Sequence, residues 1–293
     1  MFAILLKLTI SSKIENGSRL LSAEHQKFQS MTKAIPLYEG TFSVGTDKIF
    51  RRIDKKAPPY KASLKLSIHP FLIRNGDNNT LFDAGIGDLF GHETTIETLL
   101  RNLEQESVSD YEITDIMLSH LHFDHMGGLA NRENGYLELT FSDAKLWVSG
   151  NAWKKLYSNI DEEDNDIRDF FHFLDNHADI HFIEDYQDIL PDGFRAEKIG
   201  GHTEYHQALY YERGDDKYVM AGDVIGTRGA INRTYAAKYD FEPKQSQKIR
   251  NEIQKLSFSE GHIIMAYHET DHPLFRLTDF DDKKGYKIKN ITS

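Results

Sequence analysis

The sequence predicts an α/β chain folded as two sheets packed together with helices on the outside. Three observations carry this expectation. Short apolar or alternating runs that read as strands recur along the chain, separated by stretches of helical spacing. The succession of strands and helices runs twice, as two similar halves. No long linker or change of composition divides the halves, so residues 35–293 are expected to form one domain.

Composition agrees. The chain has 293 residues, long enough for one large α/β domain or two small ones. Its 39% hydrophobic and 28% charged residues fit a globular protein with a core rather than disorder. The formal charge is −11, and Lys and Arg form no stripe, so a nucleic-acid partner is not expected. The absence of cysteine excludes disulfides, thiolate zinc sites and a Cys nucleophile.

Taken in order, Met1 to Leu6 is apolar but is interrupted by Lys7. It is too short to span a membrane and lacks the features of a signal peptide, so a cytoplasmic chain without membrane partner is expected. Residues 1–34 read as a peripheral arm, or as sequence preceding a natural start at Met31. Leu37 to Val44 reads as a first strand, Arg51 to Lys61 as a loop, and Ser63 to Arg74 as one alternating strand. Asn75 to Asn79 is a hairpin signal, with the return strand over Thr80 to Asp83. Thr94 to Leu103 has helical spacing, and Ile113 to Leu118 is a buried strand.

Lys145 to Ser149 reads as a strand and Gly150 to Tyr157 as a helix. Glu162 to Asn176 reads as a helix whose Phe170, Phe171, Phe173 and Leu174 either pack the core or cover a pocket. Strands follow at His181–Glu184 and Phe194–Ile199. Gln207–Glu212 and Tyr218–Ala221 form a hairpin. Pro243 to Leu256 is a helix, with proline near its first turn. Gly261 to Tyr267 is the last strand, and the segment after Pro273 is polar and charged.

The chemistry concentrates at Ser119 to Gly128. His120, His122, Asp124 and His125 fall within six residues, in the pattern H-x-H-x-D-H, where a buried strand gives way to a loop. On extended backbone His120 and His122 point the same way. Asp124 and His125 turn away and start a second group. Neutral imidazoles with a carboxylate suit zinc. Three further ligand-type residues stand at predicted strand ends: His202, Asp223 and His268.

This set of residues, with Asp83-x-Gly85 and Gly201-His202-Thr203, resembles the metallo-β-lactamase superfamily over about residues 37–275. The resemblance implies a four-layer αβ/βα sandwich holding two divalent ions, with zinc favoured. His120, His122 and His202 would hold the first, Asp124, His125 and His268 the second, and Asp223 would bridge them. Asp83 and His206 would orient these ligands. A hydroxide shared by two cations about 3.5–4 Å apart would attack an ester or lactone, with Asp124 orienting it or protonating the leaving group. The His122 position carries Glu in the redox-active flavodiiron branch, so His122 favours zinc and hydrolysis.

The segments around His120, around His202 and over Ala221–Thr227 and Tyr239–Pro243 are similar to N-acyl-homoserine lactonases involved in quorum quenching. That subgroup also holds arylesterases and organophosphate hydrolases. A small-molecule ester or lactone substrate is therefore expected, with Phe123, Tyr235 and Tyr239 as pocket candidates and a homodimer as a possible assembly. Lactonases of the Bacillus type carry Tyr where this chain has Gly226. The alternatives are an arylesterase or organophosphate hydrolase, a glyoxalase II-like thioesterase, and a metal-free scaffold.

Overall fold

The computed structural model of the chain describes residues 32–76, 78–133, 135–183 and 190–292. The first half runs β1 (Lys33–Pro36), β2 (Gly40–Val44), β3 (Phe50–Ile53), β4 (Leu64–Ile68), β5 (Phe71–Asn75), β6 (Asn78–Phe82), α1 (Ile96–Gln105), β7 (Asp115–Met117), α2 (Phe123–Met126), β8 (Ala130–Glu133), β9 (Tyr136–Leu139), β10 (Lys145–Ser149), α3 (Gly150–Ser158), α4 (Asn165–His177) and β11 (Asp179–Ile183). The second half runs β12 (Phe194–Lys198), β13 (Gln207–Arg213), β14 (Asp216–Met220), α5 (Pro243–Glu260), β15 (Ile263–Met265), β16 (Leu274–Asp281) and β17 (Gly285–Asn290).

Two six-stranded sheets result, in the orders β1-β5-β6-β7-β10-β11 and β12-β13-β14-β15-β16-β17. Alternation along the strands explains why they stack. Phe71, Ile73, Phe82 and Met117 of the first sheet meet Leu209, Tyr211, Met220 and Met265 of the second in one buried cluster. The opposite faces bind helices. Leu72, Leu81, Ile116 and Leu146 pack with Leu99 and Leu103 of α1, Trp153 of α3 and Phe170, Phe171 and Leu174 of α4. Ala208, Tyr210, Val219 and Ile264 pack with Ile253 of α5. The order of layers is helix, sheet, sheet, helix, as expected.

Local sequence accounts for the helices. Thr95 caps α1 by accepting from the N–H of Glu97, and Ile96, Leu99 and Leu103 form its buried stripe. Pro243 opens α5, where a missing N–H costs nothing.

Several expected boundaries differ. Residues 1–31 of the expected arm lie outside the described residues, whereas Lys33 and Ala34 pair with Arg74 and Ile73 inside the first sheet. The Leu37–Val44 run is part of no single strand: β1 ends at Pro36 and β2 begins at Gly40. Ser63 to Arg74 is two strands in two sheets. Pro70 lacks the N–H a continuous ladder needs, so β4 pairs with β2 in a three-stranded sheet while β5 joins the main one. Arg51 to Ile53, expected as the start of a loop, belong instead to β3, which completes that small sheet against β2. The polar segment after Pro273 forms β16 and β17. They lie at the edge of the second sheet, where Leu274, Phe275 and Leu277 are buried and the remaining positions are largely open to water. Among the described residues no helix is long and apolar enough to cross a membrane.

Candidate metal centre

The site lies where strand ends from both sheets meet. In the first sheet β6 and β7 run parallel, with Phe82 opposite Met117, and their ends deliver Asp83 and His120. In the second, β14 and β15 are parallel, and the turns after them deliver Asp223 and His268. The sheets are tied together here. The N–H of Gln207 donates to the carbonyl of Ser119 (2.8 Å), and its side chain donates to the carbonyl of Leu118 (3.2 Å).

All seven expected ligands converge, in two groups. His120, His122, His202 and Asp223 form one, and Asp124, His125 and His268 the other; within each, the donor atoms lie within 4.8 Å of one another. In the first group Nε2 of His120 and Nε2 of His202 lie 2.9 and 3.1 Å from Nδ1 of His122. Asp223 faces both. Its Oδ2 is 3.1 Å from Nε2 of His202, while its Oδ1 is 3.1 Å from Nε2 of His125 and 2.9 Å from Nε2 of His268. Asp124 stands farther off, with Oδ2 3.6 Å from Nε2 of His125 and 3.5 Å from Nε2 of His268.

The outer ring nitrogens decide which tautomer each histidine takes. Nδ1 of His125 donates to Oδ2 of Asp83 (2.6 Å), and Nδ1 of His202 donates to Oδ1 of Asp240 (2.9 Å). Nδ1 of His268 donates to the carbonyl of Ser67 (3.0 Å). The Ser119 hydroxyl donates to Asp83, so it accepts from Nδ1 of His120 (3.0 Å). Each of these four rings therefore presents a lone pair at Nε2 to the centre.

These donors fit divalent cations. The buried atoms Nε2 of His125 and Nε2 of His268 lie 3.1 and 2.9 Å from Oδ1 of Asp223 without a well-aligned hydrogen bond between them. Buried lone pairs that converge on one point in this way are the arrangement a cation satisfies. Charge agrees. Burial by itself pulls His125 down, but the carboxylates of Asp124, Asp83 and Asp223 push it well above the usual imidazole range. His268 is likewise raised by Asp223 and Asp124 against the effect of burial. The carboxylates call for positive charge at this point. His120, by contrast, is held well below the usual range by burial and by its histidine neighbours, so it stays a neutral donor.

Of the two residues expected to orient ligands, Asp83 bonds Ser119 and His125. His206 bonds the carbonyl of Ala221 (3.1 Å), just ahead of Asp223, and its ring lies 4.5 Å from that of His120. Gly222 sits at φ +47, and a Cβ there would lie 2.5 Å from Nε2 of His206, so only glycine lets the Asp223 turn close over that ring. Gly128 is similarly required: a Cβ would overlap the carbonyl oxygen of Ala84.

Three supporting residues escaped sequence reasoning. Asp240 lies in the Tyr239–Pro243 stretch already singled out, yet nothing local marks it as the partner of His202. Ser67 belongs to a different small sheet. Tyr267, next to His268, donates its hydroxyl to the carbonyl of Asp124 (2.6 Å) and stacks on His125 with centroids 4.1 Å apart.

The pocket candidates fall in two aromatic groups. Phe123 packs on Phe90 with centroids 4.0 Å apart and lies 6.3 Å from Phe170. Phe170, Phe171 and Leu174 are fully buried, so the main role of α4 is core packing. A cavity of about 440 Å³ lined by Asp88, Leu89, Phe90, Arg132, Leu137 and Asp166 borders this aromatic group. The Tyr239 ring lies 6.2 Å from that of His202, and Tyr235 and Phe241 are also exposed. A Cβ at Gly226 would lie 3.2 Å from Cδ2 of His268, so a larger residue there would press on that ring.

The family model of the metallo-beta-lactamase superfamily matches residues 65–256. Probable metallo-hydrolases of Mycobacterium bovis and Mycobacterium tuberculosis are each 22% identical over 256 residues, covering 78% of this chain and 82% of theirs. A crystal structure of a probable metal-dependent hydrolase from Staphylococcus aureus superposes with a TM-score of 0.69 at 19% identity, covering 90% of this chain and 98% of that one. AidC, a dizinc quorum-quenching lactonase in complex with its product, gives a TM-score of 0.69 at 18% identity, covering 90% of this chain and 96% of AidC. At such identities the structural likeness shows the fold alone.

Proposed function

The chain belongs to the metallo-beta-lactamase superfamily and is a metal-dependent hydrolase, and from that premise we propose that it opens lactones or cleaves esters at a two-ion centre. The observation that carries the two-ion reading is Asp223, whose two oxygens face two separate groups of histidines. His120, His122 and His202 would hold one ion, Asp124, His125 and His268 the other, and Asp223 both. Zn²⁺ suits these imidazole-rich donors. Bound there, the ions would acidify a water near neutral pH and polarise the substrate carbonyl.

The remaining work falls to the chain. Tautomer control by Asp83, Ser119, Asp240 and Ser67 keeps the donor lone pairs aimed inward. Asp124 turns Oδ2 towards His125 and His268, which leaves Oδ1 as the atom that orients the attacking water and passes its proton to the departing oxygen. Water adds to the carbonyl carbon, the carbon–oxygen ester bond breaks, and the alcohol leaves protonated. Phe123 with Phe90 offers an apolar wall for the acyl part. The exposed rings of Tyr235, Tyr239 and Phe241 favour a second reading, an arylesterase, because they offer stacking faces to an aromatic leaving group.

A panel of acyl-homoserine lactones, simple lactones, aryl esters, a phosphotriester and a glutathione thioester tests this, with metal content measured on the same protein. Lactone or ester turnover with about two ions per chain is the expected result. Turnover of the thioester alone would overturn the assignment, and fewer than one ion after metal-replete expression would overturn the two-ion centre.

A further inference from the structure

Arg250 is the largest of the fully buried side chains, and among the described residues its hydrogen-bond partners are backbone carbonyls rather than a carboxylate. A buried guanidinium is costly unless its donors are satisfied. Here two backbone carbonyls from separate segments each accept from one of its donors. Nε donates to the carbonyl of Val224 (3.0 Å), next to Asp223, and an Nη donates to the carbonyl of Tyr235 (3.0 Å). The guanidinium also lies 4.2 Å from the centroid of the Tyr235 ring.

The neighbours of Arg250 on α5 act on the same segment. Gln247 donates to the carbonyl of Thr234 (2.8 Å), and Gln254 accepts from the N–H of Asn232 (3.0 Å). Residues 247, 250 and 254 are spaced by three and four, so one helix face grips residues 232–235. That segment leads into Tyr239 and into Asp240, the partner of His202. Tyr235 is 41% exposed, so its inner face is pinned while its outer face stays open. An exposed ring held from beneath by a buried cation is prepared for a ligand, because it surrenders little freedom when something stacks on it.

We propose that Arg250 is a positioning residue that fixes Tyr235 as the wall against which the substrate's leaving part rests, in register with the turn bearing Asp223. This rests on the hydrolase reading above. Lysine cannot replace it, since an ammonium lacks the planar fork that reaches two carbonyls and stacks on a ring.

The test compares Arg250→Lys, Tyr235→Ala and the double variant, using the lactone or ester the wild type turns over. Each single variant is expected to raise KM about tenfold, with kcat changed less than about threefold and metal content unchanged. The double variant should match the singles rather than multiply them, since both remove one wall. Multiplied effects, or a lowered melting temperature with unchanged KM, would overturn the proposal. Gln247→Ala, a milder change at the protein surface, should raise KM in the same direction if Arg250→Lys fails to fold. Hydrogen exchange of residues 232–240 in the metal-loaded protein separates the two readings. Faster exchange in Arg250→Lys supports the anchoring even if no substrate in the panel reacts, and unchanged exchange refutes it.

Discussion

Nδ1 of His125 donates to Oδ2 of Asp83 across 2.6 Å, with both side chains fully enclosed. The same oxygen accepts the Ser119 hydroxyl, which in turn accepts from His120. One carboxylate thus steers a histidine in each donor group. Asp83 does this from the left-handed region, at φ +58, a conformation an aspartate holds only where its surroundings impose it. Asp83→Ala is expected to weaken both ions about 10–100-fold. Metal content after dialysis against a graded chelator checks this, and a loss confined to one ion would contradict the shared role.

Asp240 should act on one group only. It bonds His202 and no other candidate ligand. Asp240→Asn is therefore expected to weaken one ion by about 10–100-fold and leave the other near its original affinity. A two-step release curve, with only the weaker step displaced, is the signature in a chelator titration.

Asp124 stands farther from His125 and His268 than Asp223 does, at 3.6 and 3.5 Å against 3.1 and 2.9 Å. Asp124→Asn keeps its shape and removes the proton carrier, so kcat should fall by about 10²–10⁴-fold. Because Asp124 is also a proposed ligand of one ion, metal content is measured on the same variant and kcat is compared at saturating metal. Activity within threefold of wild type would show that another group moves the proton.

Glu39 offers a test of stability. It is buried beneath the Asp83–Gly87 turn, where its Oε2 accepts from the N–H of Ile86 (3.0 Å), and burial pushes its carboxyl up to about 8. The unfolded chain releases this proton near the ordinary carboxylate value. Between there and about 8 the folded state binds more protons, so stability falls as pH rises through that window and levels off above it. The contribution is on the order of a few kcal/mol, since each tenfold change in proton affinity is worth about 1.4 kcal/mol. Glu39→Gln keeps an acceptor for Ile86 and cannot ionise. Thermal melts from pH 5 to 8 should show a flatter slope in this variant than in the wild type.

Much of the site was legible in the chain. His120, His122, Asp124 and His125 sit within one short segment, so their spacing alone declared a metal-capable cluster. His202, Asp223 and His268 were marked by their position at strand ends. The helices α1 and α5 were readable from their apolar spacing and from the proline that opens α5. The strand break at Pro70 and the edge strands β16 and β17 were not legible, because alternation in sequence does not say which sheet a strand joins or which face meets water.

The residue types at the centre follow from the sequence alone, since ligand chemistry is a property of the side chains, and the reaction class follows from the family those residues resemble. Asp83 and His206 were expected from the resemblance, but the other groups that aim those side chains were decided by the tertiary structure. Asp240 reaches His202 from 38 positions away, and the carbonyl of Ser67 reaches His268 across 201. Such partners are chosen by how two sheets meet at their edge, and no local pattern encodes that meeting. The division of the seven donors into two groups, with an oxygen of Asp223 turned to each, exists only once both sheets are packed together.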